Sequence, residues 1–352
     1  MEILYVVSPN DDLSDRLKYM TENFIKNFDS VKYIKKFTPS LNLKNKKLLF
    51  LLQLDVNGFD LPMLNFLKEL SCSDKNALEN STGALLVNSI SELGTKRSTQ
   101  DTIFIANNLG CRFLGHPIIE ATKSLKNFIN WQKNIDLSLE EICFKLSYNL
   151  GKRLSEYENP LSIIEIQKKI TVLYSSTHKF SNTLDLWHMV SKHLNNFSIR
   201  EIHIENGKIL DCKGCSYKLC LHYGKQNKCF YGGFMVDNVL PAIEESDAVV
   251  WLCPNYNDAI AANLTAVINR ITVLYNKISF YNKSMFGVIV SGNSGSDSVA
   301  KQLIGALNIN KGFKLSPHAI ITETANNPKS IFKVENIEFK AKDFAKHIIT
   351  GV

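Results

Sequence analysis

Residues 248–270 read AVVWLCPNYNDAIAANLTAVINR, and this stretch decides the fold. Its first five residues form an uninterrupted apolar run, which predicts a strand buried on both faces. Such strands belong to parallel sheets that are covered by helices on both sides. A polar loop and an amphipathic helix follow directly, so we expect an α/β domain. Ligands of these sheets bind beyond the carboxyl ends of the strands, which makes the polar loop a candidate binding site.

The loop itself suits a flat ring. Pro254 restricts the backbone, and Asn255, Tyr256 and Asn257 supply amides and an aromatic face. The segment resembles the NAD(P)H-dependent FMN reductases of the flavodoxin-like superfamily. Their usual pattern here is a Ser/Thr-Pro-x-Tyr loop, a small-residue stretch and a helix that ends near Asp/Asn-Arg. Cys253 stands where that family usually has Ser or Thr, and we expect it to be a core residue.

The composition is that of an ordinary globular protein. The chain has 352 residues, of which 45% are hydrophobic and 21% charged, so two domains are the default expectation. The net charge of +7 comes from dispersed lysines, and we expect neither a nucleic-acid partner nor a membrane partner. No apolar segment approaches the length of a membrane span, and no leader sequence is evident, which predicts a cytoplasmic protein.

The sequence also contains an internal repeat. Apolar runs beginning at Ile3, Leu49 and Gly83 have counterparts beginning at Ile170, Val249 and Gly287, at offsets of 167, 200 and 204 residues. The repeat predicts two tandem flavodoxin-like domains, each a parallel sheet with helices on both faces. We place the domains at 1–160 and 168–352. Leu137 to Tyr157 is expected to be the last helix of the first domain, and residues 158–160 the linker.

Phosphate binding is expected after the first strand of the second domain. There, hydroxyl groups and backbone N–H groups converge before a helix, the usual physical basis of an anion site. The resemblance implies that phosphate contacts come from Ser176, His178, Ser181, Asn182 and Thr183. The matching turn of the first domain instead carries three carboxylates, which would repel a phosphate; these are Asp11, Asp12 and Asp15. We therefore predict that the first domain has lost FMN and serves as a packing or dimerisation partner.

A third loop follows the strand that ends near Val290. Its glycines allow close approach of the backbone to a ligand, and the family resemblance implies that the loop borders the flavin ring. The residues concerned are Gly292, Asn293 and Ser294. No ordered acid and base partners for a hydrolase accompany it, so hydrolysis is a poor interpretation.

Four cysteines fall within an insertion of about 33 residues that only the second domain has. Cys212, Cys215, Cys220 and Cys229 are separated by gaps of two, four and eight residues. The run resembles that of the iron-sulfur flavoproteins, in which a tighter spacing holds a 4Fe-4S cluster close to the flavin. Three interpretations stay open, namely a cluster, a zinc site, and thiols that only pack the loop.

The resemblance implies an FMN enzyme. Hydride would pass from NAD(P)H to FMN, and electrons would then pass to an unidentified small-molecule or protein acceptor, through the cluster if the cysteines hold one. No general acid or base is nominated. The first alternative is a flavodoxin-like or iron-sulfur flavoprotein electron carrier that a protein partner reduces and that has no NAD(P)H activity of its own. The second is a metal- or nucleotide-binding regulatory module without FMN. The family also leaves open a homodimer, or a first domain that substitutes for the second subunit.

Overall fold

A computed structural model describes residues 2–158, 167–176, 180–226 and 228–352. The chain divides into two compact units, Met1–Leu161 and Ser162–Val352. No helix in these described ranges is long and apolar enough to cross a membrane.

The first unit is a parallel sheet of five strands in the order β2-β1-β3-β4-β5. Its strands are β1 Ile3–Val7, β2 Ser30–Ile34, β3 Lys47–Leu54, β4 Thr82–Ser89 and β5 Arg112–Ala121. Its helices are α1 Asp15–Ile25, α2 Leu61–Ser73, α3 Thr95–Asn108, α4 Ile129–Gln132 and α5 Leu139–Ser155. The central strands β3 and β4 are almost entirely buried, as their apolar runs predict.

The second unit repeats this order, with strands β7-β6-β8-β9-β10, all parallel. Its strands are β6 Lys169–Tyr174, β7 Ser198–His203, β8 Ala248–Pro254, β9 Ser284–Ser291 and β10 Lys314–Thr324. Its helices are α6 Asn182–Ser191, α7 Tyr217–Lys225, α8 Leu240–Glu245, α9 Ala262–Arg270, α10 Thr272–Tyr275, α11 Ser296–Leu303 and α12 Ile337–Gly351. The predicted α/β class with parallel sheets is confirmed.

The internal repeat extends to individual backbone details. Gly110 and Gly312, 202 positions apart, both have a positive φ in the turn before the last strand of their unit. In those same strands, His116 and His318 have φ values of 49° and 48° at a bulge. Strands β4 Thr82–Ser89 and β9 Ser284–Ser291 are likewise 202 positions apart, and not the 204 expected from the apolar runs that begin at Gly83 and Gly287. A slip of two residues preserves the alternation of side chains between the faces, which is why the pattern did not reveal it.

Candidate functional site

The candidate site lies at the carboxyl ends of the strands in the second unit. In the observed order, β6 lies between β7 and β8, so the chain leaves β6 and β8 in opposite directions along the sheet. Sheets of this order bind ligands in the crevice that opens at that switch point. The loops predicted to bind follow β6, β8 and β9, and the parallel pairing of these strands brings the loops to one edge.

The loop after β6 leads into the amino end of α6. Ser175 is buried, and its Oγ has no hydrogen-bond partner among the described residues. Ser181 caps the helix by accepting a hydrogen bond from the Leu184 N–H at 3.3 Å, and Thr183 is buried in the first turn. Ser176 is partly exposed beside them. His178, predicted to contact a phosphate, lies outside the described residues.

Asn182 has a different role from the one its sequence position indicated. Its amide nitrogen donates to the carbonyl oxygens of Ala325 and Asn327, both at 2.9 Å, and its amide oxygen accepts from the Ile331 N–H. This side chain therefore fixes the segment after β10 against the start of α6. The expectation that it contacts a phosphate stays a prediction, and any such contact would compete with these three bonds.

The loop after β8 is a tight hairpin. Tyr256 and Ala259 form a short antiparallel bridge, and the two residues between them, Asn257 and Asp258, have φ values of 53° and 56°. Two consecutive left-handed residues are the signature of a type I′ turn, which Asn and Asp tolerate better than other residues with a β-carbon. Pro254 ends the strand, and the Tyr256 ring is 44% exposed on the rim of the site.

Asn255 ties this hairpin to the loop after β9. Its amide nitrogen donates to the Ser291 hydroxyl at 3.0 Å, to the Ser294 carbonyl at 2.8 Å and to the Asp258 carboxylate at 3.1 Å. The amide oxygen is buried and has no partner among the described residues. An unsatisfied buried acceptor is costly, so this oxygen is a natural partner for a ligand N–H.

Glycine is required where these two loops meet. Gly295 has a φ of +84°, and a β-carbon there would lie 1.7 Å from the Asp258 carboxylate. Gly292 and the Asn293 carbonyl lie in the same loop, with the carbonyl accepting from the Thr324 hydroxyl at 3.5 Å. Gly292, Asn293 and Ser294 thus lie at the same strand edge as Asn255. The sequence reasoning missed Asp258, Ser291 and Gly295, although the left-handed Asn-Asp pair was a local signal for the turn.

A stacked ring pair was also missed. Tyr174 ends β6 and His203 ends β7, and their rings stack with centroids 4.8 Å apart. Burial raises the pKa of Tyr174, and the nearby carboxylates Glu201 and Glu205 raise it further. The His203 Nε2 atom is buried without a partner among the described residues. The pair closes the β7 side of the same edge.

The equivalent edge of the first unit retains a cavity of about 450 Å³, but its lining is acidic. Asp12, Asp55 and Asp60 all line it. Asp60 is almost fully buried, and burial raises the pKa of its carboxyl. Of the three carboxylates expected there, only Asp12 lines the cavity, since Asp11 pairs with Lys35 and Asp15 with Lys18. The acidic character is as expected, although different residues supply most of it.

All four insertion cysteines line a single cavity of about 300 Å³. Within the described ranges, however, no group of three or more His, Cys, Asp or Glu side chains is arranged to hold a metal ion. The cavity lies at the end of α9, beside Arg270, Thr272 and Asn276, where the strands of the sheet begin. The insertion follows α9 to its far end, so this cavity lies at the opposite edge of the sheet from the candidate loops, unlike the cluster of the iron-sulfur flavoproteins that the cysteine run resembles.

Cys253 is fully buried, and burial raises the pKa of its thiol. It is a core residue of β8, as expected. Its unionised thiol offers neither a nucleophile nor a metal ligand to the site.

Comparison with known proteins bears on the second unit. Residues 168–327 match the NADPH-dependent FMN reductase family. The match covers slightly less than half of the chain and includes the three loops described above. It confirms the resemblance predicted from the 248–270 segment and supports a flavin-dependent oxidoreductase in this FMN reductase-like unit. No curated protein matches the chain.

Solved structures with a similar fold include the following three. RosB, solved with a bound 8-demethyl-8-formylriboflavin-5'-phosphate intermediate, is 13% identical over 52% of this chain and 77% of its own, with a TM-score of 0.41. An NAD(P)H:quinone oxidoreductase from Methanothermobacter marburgensis is 11% identical over 52% and 96%, with a TM-score of 0.39. An azoreductase from Bacillus anthracis str. Sterne is 12% identical over 53% and 100%, with a TM-score of 0.35. At these values the neighbours carry no information about the activity of this chain.

Proposed function

We propose that the second unit binds FMN at the carboxyl edge of its sheet and oxidises NAD(P)H with it, delivering electrons to an acceptor that is not identified. The observation that supports this proposal most directly is a pair of buried polar atoms, the Ser175 Oγ and the Asn255 Oδ1, which follow the two strands of the switch point and have no hydrogen-bond partner among the described residues. Buried polar atoms left unpaired in this way suit a polar ligand. The family match supports flavin as that ligand.

The residues divide between the two ends of a mononucleotide. Ser176, Ser181 and Thr183 surround the amino end of α6, where hydroxyls, N–H groups and the helix dipole favour a phosphate. His178 is proposed for the same end on sequence grounds alone. Pro254, Asn255, Tyr256 and Asn257 form the hairpin on which a ring can lie, and Gly292, Asn293 and Ser294 form the opposing loop.

The protein's own contribution is to position the flavin and to shield it from solvent. When bound, FMN supplies the capacity to accept hydride from NAD(P)H and to release electrons singly or in pairs. The Asn255 amide holds the two ring loops together, and its oxygen, which has no partner in the described part of the chain, can accept a hydrogen bond from a ring N–H. Tyr256, at the exposed rim, borders the opening through which a nicotinamide or an acceptor would approach. No acid or base side chain is assigned a proton-transfer role.

We expect the purified protein to be yellow and to oxidise NADPH or NADH with a quinone, nitro or azo acceptor.

A charge substitution in each unit tests which unit binds the flavin. Ser176→Glu should lower FMN affinity at least about tenfold, because the new carboxylate repels the phosphate. The matched change Asn10→Glu, in the corresponding loop of the first unit, should leave affinity unchanged. A protein that takes up no FMN defeats the proposal, and bound FMN without NAD(P)H oxidation favours an electron carrier instead.

The 4Fe-4S cluster stays a prediction from the cysteine run and takes no part in this proposal. Four thiols are a suitable donor set for iron-sulfur or zinc, but the described residues present no arrangement that would hold either. Iron, sulfide and zinc analysis of anaerobically purified protein decides the point. Cys212→Ser should lower the metal content if a metal is held there, and a metal-free native protein removes the prediction.

A further inference from the structure

The cysteine insertion carries a surface of unusual composition. Residues 208–234 contain five lysines, one aspartate and no arginine, interleaved with aromatic residues. We call its exposed part the lysine-aromatic rim, which consists of Lys213, Tyr217, Lys218, Lys225, Lys228, Phe230 and Tyr231. The lysines of the whole chain are dispersed on average, and that average did not reveal this local cluster.

Large rings are exposed on the rim. Tyr217 is 71% exposed, and Phe230 and Tyr231 are each more than 40% exposed. All three line the 300 Å³ cavity together with the four cysteines, so they form one continuous surface and not scattered single residues. Contiguous apolar patches with a polar border are typical of protein interaction sites, and aromatic side chains are enriched in them.

The charge on the rim is uncompensated. Lys218, Lys225 and Lys228 are exposed and have no carboxylate partner in the part of the chain that the structure describes. Lys213 lies 3.5 Å from the centre of the Phe230 ring. The one acidic residue of the insertion, Asp211, accepts a hydrogen bond from Asn269 at 2.8 Å and is held at the base.

The cavity beneath the rim is anchored to the folded core. Arg270, at the end of α9, is only 3% exposed. It donates to the carbonyl oxygens of Leu210 at 3.3 Å and Gly232 at 3.0 Å, which lie near the two ends of the insertion. Because these hydrogen bonds already order the segment that lines the cavity, binding a partner costs less conformational entropy than it would for a free loop.

We propose that the lysine-aromatic rim docks the acidic face of a partner protein, with an apolar side chain of the partner entering the cavity. Acidic residues complement the lysines, and one buried anchor in a pocket is the usual centre of such interfaces. A nucleic acid is disfavoured because the segment lacks arginine, the residue suited to bidentate phosphate recognition.

The location makes docking compatible with activity at the proposed flavin site. The cavity lies where the strands begin, beside Thr272, whose hydroxyl accepts from Lys311 at 2.6 Å in the turn before β10. The flavin loops lie where the strands end. A bound partner therefore leaves the hairpin and its opposing loop open, and the inference does not depend on FMN being present.

Direct binding tests the inference on the full-length protein. The probe is a short fluorescent glutamate-rich peptide with one central tryptophan, measured at low and high salt. We expect salt-sensitive binding that weakens at least about tenfold in Lys218→Glu/Lys225→Glu/Lys228→Glu. Replacing the tryptophan of the peptide by alanine should also weaken binding. The matched variant Lys192→Glu/Lys333→Glu/Lys342→Glu changes three exposed lysines elsewhere in the second unit and should bind as the native protein does.

Three outcomes overturn the inference. They are no peptide binding by the native protein, equal loss in the rim and control variants, and tighter binding of a thymidine oligonucleotide than of the peptide. Circular dichroism of both variants excludes unfolding as the cause of a loss. Because no flavin is involved in the measurement, failure of the FMN proposal would leave the result interpretable.

Discussion

Arg270 shows how one side chain can organise a distant insertion. Its guanidinium group is buried, bridges two backbone carbonyls of the insertion and lies 5.8 Å from the Tyr231 ring. A lysine has a single nitrogen and cannot reproduce a planar fork that reaches two acceptors. The Arg270 side chain therefore fixes the insertion and makes no hydrogen bond to the candidate flavin loops in the part of the chain that the structure describes.

We expect Arg270→Lys to loosen residues 208–234 while the sheet stays folded. The lost charged hydrogen bonds should cost about 2–3 kcal/mol in local stability. Hydrogen exchange resolved by mass spectrometry should show faster exchange in the insertion and unchanged exchange in β8 and β9. Arg200→Lys, an exposed change on β7, is the control. Unaltered exchange of the insertion in the Arg270 variant would contradict this role.

At the scale of an element, the hairpin after β8 stores backbone strain that its sequence tolerates. Asp258 has a left-handed backbone and accepts a hydrogen bond from the Asn255 amide. We expect Asp258→Ala to lower FMN affinity several-fold, because alanine lacks the acceptor and costs about 1 kcal/mol in this conformation. Asp258→Gly removes the acceptor but relieves the strain, so it should cost less. Flavin titration of both variants measures the difference, and equal affinities would exclude a contribution from strain.

The bulge of β10 predicts a pH dependence of stability. His318 lies in the bulge with its ring 4.5 Å from that of His347 on α12. Burial, and then the His347 charge, lower the pKa of His318 from 6.5 to about 4, although Asp343 opposes the shift. The unfolded chain therefore binds this proton more readily than the folded chain between those two values. The contribution of the neutral His318 ring to the free energy of unfolding is therefore fully present above pH 6.5, and it is lost as the pH falls towards 4.

We expect the free energy of unfolding to fall by roughly 2 kcal/mol more in the native protein than in His318→Asn between pH 7 and pH 4.5, allowing for partial exposure of the ring. Asparagine tolerates the left-handed backbone at this position, so the variant isolates the titration from the strain. Urea unfolding at the two pH values provides the measurement. Parallel losses in both proteins would show that other groups cause the effect.

At the scale of the whole molecule, the two units share one strand order, but we expect only the second to bind a ligand. Both sheets have the same strand order, and both have a switch point with a loop that leads into a helix. Both switch points have a serine after the first strand, Ser8 or Ser175, and a serine that caps the next helix, Ser14 or Ser181. The first unit differs in the carboxylates that line its cavity, which are Asp12, Asp55 and Asp60. Carboxylates exclude a phosphate by repulsion, so retention of the fold does not imply retention of the ligand.

We therefore expect one FMN per chain. Quantification of released flavin against protein concentration, together with native mass spectrometry, gives the ratio and the oligomeric state. Two flavins per chain would show that the first unit binds FMN despite its acidic cavity. A value of one that falls to zero in Ser176→Glu, but not in Asn10→Glu, would assign the flavin to the second unit.

Much of the architecture could be predicted because its signals are local. The short apolar run Ala248 to Leu252 favours a central strand, and α5 at Leu139–Ser155 falls within the range given by its apolar spacing. The candidate loops were found for the same reason, since they follow those strands directly. Side-chain partners were less accessible. Asn182 was expected to face a phosphate, yet its bonds go to residues more than 140 positions away.

The sequence by itself determined the α/β class, the duplicated pattern, the position of the candidate loops and the presence of a cysteine insertion. These follow from periodicity and from the order of residues, which a linear chain displays directly. Only the tertiary structure decided where the insertion lies, which amide oxygen lacks a partner among the described residues and which carboxylates line the cavity of the first unit. Those depend on distances between residues far apart in sequence, and such distances are set by how the strands and helices pack.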